Sequence, residues 1–130
     1  IISLDEAAAE ARYSAEPATD ETPEMIFERR WALTLLDQAL HHLREEIARA
    51  GKARLFELLS PFLSREATAG DYAAIAAELG VSPGAVGVSV HRLRHRYRAV
   101  VEEEVRSTIN DPAQLEDEMR HLFAALRGER

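Results

Sequence analysis

The sequence predicts an all-α fold, a helical bundle, and three observations carry that prediction. Alanine, leucine, glutamate and arginine dominate while glycine, proline and β-branched residues are sparse, a mixture that favours helix over sheet. Apolar residues recur at steps of three and four through several long segments, the period of a helix with one buried face. Threonine or serine stands directly before proline at Thr22-Pro23 and Ser82-Pro83, the order of an N-cap followed by a first helical residue. The 130 residues suffice for one compact domain with a moderate core.

Residues 1–22 read as a mostly irregular linker. Ile1 to Leu4 suggest a short extended piece, Asp5 to Tyr13 a helical turn or two, and Ser14 to Thr22 a linker rich in small and acidic residues. A helical domain follows over 23–130. Its first helix starts at Pro23, aligns Leu33, Leu36, Leu40, Leu43 and Ile47 with Phe27 on one face, and stops at Gly51. A second runs from about Lys52 to Leu59 and is ended by Pro61. Ser64 to Gly70 is a loop. Asp71 caps a short helix, Tyr72 to Leu79, and Gly80-Val81 turns the chain. A long helix then runs from Pro83 through about Ile109, where Asn110-Asp111-Pro112 breaks it. Asp111 and Gln114 form a capping box for a final helix over 112–126, with Leu115, Met119, Leu122, Phe123 and Leu126 on its apolar side.

Charge is unevenly spread. The net charge is −7, yet residues 82–101 hold four arginines and no carboxylate, with acidic segments on both sides. A basic stripe of this kind is the electrostatic footprint of nucleic-acid binding. The acidic stretch 1–51 is expected to lie against it and weaken DNA binding. There is no cysteine, which removes disulfides and thiolate metal sites and fits a cytoplasmic location. No apolar run is long enough to span a bilayer, and no signal-peptide pattern is present, so no membrane partner is expected. Beginning at Ile1, the chain reads as part of something longer.

The segment DYAAIAAELGVSPGAVGVSVHRLRHRYR, residues 71–98, has the pattern of a helix-turn-helix. Ala73, Ala76 and Ala77 are small residues for the helix contact. Gly80 permits a left-handed backbone at the turn, and Val81 is expected to point into the core. Val86, Val90, Leu93 and Tyr97 make an apolar stripe that packs on Ile75 and Leu79. The opposite face then carries Gly84, Gly87, Val88, His91, Arg92 and His95, behind the Ser82-Pro83 start. Such a face fits the major groove, with Arg92 reaching a guanine edge or a phosphate and Arg94, Arg96 and Arg98 nearer the flanking phosphates. The plainer alternative is a scaffold hairpin whose arginines are merely solvated.

These residues carry a family resemblance. YAAIAAELGVSPGAVGVSVHRLRHRYR resembles region 4 of the extracytoplasmic-function (ECF) sigma factors of the sigma-70 family. The opening ISLDEAAAEARYSAEPATDETPEMIFERRWALTLLDQAL and the ending VEEEVRSTINDPAQLEDEMRHLFAAL are similar to one group of them, so nearly the whole chain is covered. The resemblance implies a winged-helix-like helix-turn-helix of the sigma region 4 type with no wing. It implies a monomeric transcription initiation factor that recognises the minus-35 promoter element and docks on the β flap of the RNA polymerase core. Promoter DNA and polymerase are then its partners, with an anti-sigma protein a third of the same class. Leu55, Phe56, Leu59 and Phe62 become an apolar groove for a polymerase helix, with core packing the plainer reading. Relatives commonly have lysine at the position of Gly87 and often another base close by. Gly87 and Ser89 here mean fewer phosphate contacts and a shallower salt dependence.

Other constellations point elsewhere only weakly. His91 and His95 have the spacing of a metal pair, but no glutamate follows the first histidine and no cysteine exists, so the expected metal and cofactor complement is none. His41, His42 and His121 read as surface or half-packed. No catalytic triad or phosphate loop can be assembled, so an enzyme is not expected. Glu102, Glu103 and Glu104 read as a solvated face or as a negative rim. Phe27 and Trp31 read as core or inter-helix anchors, with a partner surface the alternative. Two other functions compete: a stand-alone dimeric helix-turn-helix regulator, and a helical interaction module with weak DNA binding.

Overall fold

The computed structural model describes residues 21–128, so the reading of residues 1–20 lies outside the described part. Within it are five α-helices, α1 (Pro23–Arg49), α2 (Ala53–Leu59), α3 (Asp71–Leu79), α4 (Pro83–Arg106) and α5 (Leu115–Arg127), with 3-10 turns at Ser60–Leu63 and Pro112–Gln114. No strand occurs among the described residues, and the fold is an all-α bundle. No single helix among them is long and apolar enough to cross a membrane.

α1 begins as its sequence demands. Thr22 Oγ1 accepts the Met25 N–H at 3.2 Å, satisfying one of the orphan donors of the first turn, and Pro23 needs no acceptor. At the other end Gly51 adopts φ +76°, and the Lys52 N–H turns back to Ile47 O at 3.0 Å. The buried face is Ala32, Leu35, Leu36, Ala39 and Leu43. It is rotated from the expected one: Leu33, Leu40 and Ile47 flank it half-buried, and Phe27 is 70% exposed. Ala32 and Ala39 explain the offset. Small residues let α4 pack closely along their line, whereas a count of large apolar side chains places the stripe one position round.

The second α-helix ends at Leu59, as expected ahead of Pro61, but the chain continues as a 3-10 turn over Ser60–Leu63. Pro61 does not break that continuation. It sits in the first turn of the 3-10 continuation, where its missing N–H is not needed, and the chain stays helical until Phe62 and Leu63 are buried. The cap of α3 also differs from expectation. Gly70 occupies the cap position at φ +89°, and Asp71 is the first helical residue. The Asp71 carboxylate reaches back to the Thr68 N–H at 2.7 Å, the Thr68 hydroxyl at 2.9 Å and Arg65 at 3.2 Å. Those hydrogen bonds hold its pKa below the ordinary value.

α4 ends at Arg106, short of Ile109. The Asp111 carboxylate accepts the Ala113 N–H at 3.0 Å and opens the 3-10 turn ahead of α5. α1 and α4 form the central pair, α5 lies across both, and α2 and α3 close the other end. Val86, Val90, Leu93 and Tyr97 are all buried, as their spacing predicts, and Val100, Val101 and Val105 extend the stripe toward α5.

Candidate nucleic-acid interface

Three residues, Gly80 to Ser82, separate α3 from α4, and the two helices meet at 100°. Gly80 makes this turn possible with φ +69°, a left-handed conformation that costs an L-residue about 1–2 kcal/mol. Val81 donates its N–H to Ala76 O at 3.1 Å and leaves its side chain 47% exposed, rather than pointing into the core. Ser82 Oγ then accepts the Ala85 N–H at 3.1 Å, which fixes where α4 starts. Of the three alanines expected at the helix contact, only Ala76 is buried; Ala73 and Ala77 are exposed.

The buried valine stripe rotates a defined face outward. Ser82, Pro83, Gly84, Val88, His91, Arg92 and His95 are all exposed on it. Val88 is 50% exposed. The His91 and His95 rings run side by side, centroids 6.4 Å apart and 15° from parallel. Gly87 does not belong to the open face. It is half-buried, and a Cβ there would come within 3.4 Å of the Tyr72 ring, so it serves the α3–α4 contact.

The four arginines divide into separate roles. Arg92 is exposed and has no hydrogen-bond or ion-pair partner among the described residues. Arg94 points to the chain itself: Nε donates to Phe62 O at 2.8 Å and Nη2 to Arg65 O at 3.2 Å, with Glu66 at 3.8 Å. It ties the loop after the 3-10 turn onto α4. Arg96 makes a fork to Glu46 of α1, at 2.9 and 2.5 Å, and touches Glu103 at 3.3 Å. The Glu46 hydrogen bonds raise the Arg96 pKa, and the same bonds hold the Glu46 carboxyl below its ordinary value. Arg98 lies 3.5 Å from Glu102, with its guanidinium 5.7 Å from the Phe123 ring centre.

Of the four residues expected to form a polymerase groove, Leu55, Phe56 and Leu59 line one, although most of their surface is buried, and Phe62 does not. Phe56, Leu59 and Phe62 are each 2% exposed and belong to the core, with Phe62 edge-on to Tyr72 at 5.4 Å. Only Leu55 keeps substantial exposure. The groove, of about 270 Å³, lies between α1, α2 and α4, where Ile47, Leu93, Lys52 and Arg92 join Leu55, Phe56 and Leu59 in its lining. At the far end of the molecule Trp31 packs against the His121 ring, centroids 5.0 Å apart, and His121 contacts Glu28 at 2.5 Å.

Sequence reasoning missed the Arg96–Glu46 fork and the Arg94 tie. Their partners are 50 and 32 residues away in the chain, and no local spacing signals either. The exposure of Val88 was readable from the valine periodicity. Compared with protein families, curated proteins and solved structures, the chain matches none.

Proposed function

We propose that this chain is a DNA-binding transcription initiation module of the sigma region 4 kind, reading promoter DNA with α4 and docking on RNA polymerase. One observation carries the reading most directly: two helices at 100° across a three-residue turn present a helix whose outward face bears Arg92 and two histidines and no carboxylate. The apolar groove lined by Leu55, Phe56 and Leu59 supports a polymerase contact beside the DNA-reading face, with Arg92 where the two surfaces meet. Capture of the isolated β flap by the chain tests the polymerase half. Binding with a monomeric hydrodynamic mass supports the reading, and a stable dimer without flap binding favours a stand-alone regulator.

A second reading has its own support. Arg94 and Arg96 are occupied by Phe62, Arg65 and Glu46, so fewer cations face outward than the sequence suggests. A helical interaction module with weak DNA binding fits that electrostatics, and flap binding without any duplex binding is its expected signature.

A further inference from the structure

Val88 is the largest exposed apolar side chain on the outward face of α4, and half of its surface is open to solvent. It stands one helical turn after Gly84 and one before Arg92, so the three form a column along the helix. The column is open at its first member. A Cβ built on Gly84 would meet only Ser82 Oγ at 3.9 Å, so the fold has room for alanine there and the glycine leaves the backbone accessible from outside. No carboxylate lies between Ser82 and Val101 to repel a duplex from this column.

We infer that the column selects a thymine methyl group with Val88 and a neighbouring guanine with Arg92, on duplex DNA in the major groove. This deepens the DNA-binding reading above and rests on it. The chemistry of the two side chains differs in the way the two base edges differ. A thymine presents a methyl group in the major groove, the one apolar feature there, and an exposed valine can bury it. A guanine presents two acceptors that a guanidinium contacts as a pair, and Arg92 has no competing acceptor among the described residues. One helical turn rises about 5.4 Å, against about 3.4 Å per base step, so the two bases fall within about two steps of each other.

The test starts from duplexes selected by the whole chain from a random library at low salt. Each thymine of the selected site is replaced in turn by uracil, which removes the methyl and keeps the pairing. One such replacement should weaken wild-type binding about fourfold, the worth of one buried methyl group. Val88→Ala should shrink the difference between the thymine and uracil duplexes, and Val88→Asn, with no methyl to offer, should abolish it. Replacing the nearby guanine by 7-deazaguanine should weaken the wild type and leave Arg92→Ala unaffected. Thermal unfolding of these variants at the wild-type temperature shows that the fold is intact, as the exposure of both positions predicts. Specific binding that is indifferent to every uracil replacement overturns this inference and leaves the DNA-binding reading standing. Failure to select any duplex above random sequence overturns that reading, and this inference with it.

Discussion

Arg92 and Arg94 stand two positions apart on α4 and differ in what their guanidinium groups can do. Arg94 is turned toward the 3-10 segment and donates to two main-chain carbonyls, which have no other side-chain donor shown there. Replacing it with alanine leaves those carbonyls short of a donor and releases the loop before α3. Arg94→Ala should lower the stability of the fold by about 1–3 kcal/mol, read by chemical denaturation. The Glu46–Arg96 fork is a different case. Both side chains are about two-fifths exposed, so solvent screening limits its stabilisation to about 1 kcal/mol or less. Because folding lowers the Glu46 pKa, the contribution is complete above the ordinary value of 4.5 and is lost as pH falls through the folded value. Glu46→Gln should therefore flatten the acid side of the stability profile. It should also free Arg96, steepening the salt dependence of DNA binding by about one unit of slope. An unchanged slope would show that Arg96 faces away from phosphate even when released.

At the scale of elements, the α3–turn–α4 unit depends on two residues that act on the backbone. Gly80 holds φ +69°, and open space surrounds the position of its absent Cβ, so a substitution there is penalised by conformation and not by crowding. Gly80→Ala should destabilise by about 1–2 kcal/mol, and circular dichroism at room temperature should remain helical. This unit was legible in the sequence because its determinants are local. Ser82-Pro83 sets the start of α4, and the Val86, Val90, Leu93, Tyr97 spacing sets its buried face. α1 was less legible. Its start and stop are local and came out as expected, but the rotation of its buried face depends on where α4 lies, which a count of large apolar residues does not contain. The same limit applies to Phe62: Pro61 signals a stop only if the chain leaves helical geometry, and a 3-10 turn absorbed it instead.

Over the whole molecule, the acidic and basic segments are not simply opposed surfaces. Polar contacts between α1 and α4 include Glu46–Arg96 and His42–Glu104, and the first of them uses a cation of the basic stripe to hold the bundle together. Composition could not show this, since the partners meet only when the core closes. What remains for an external duplex is a narrow face with Arg92 at its centre. The candidate site was therefore legible as a helix and a face, and was over-assigned in its number of available cations. Duplex affinity of the wild type and Arg92→Ala, measured side by side at low salt with stability monitored, decides whether the proposed face meets DNA through Arg92. A loss of about 1–3 kcal/mol on the selected duplex, a smaller loss on random sequence and unchanged stability are predicted. Equal affinity of the two proteins for the selected duplex would contradict the account.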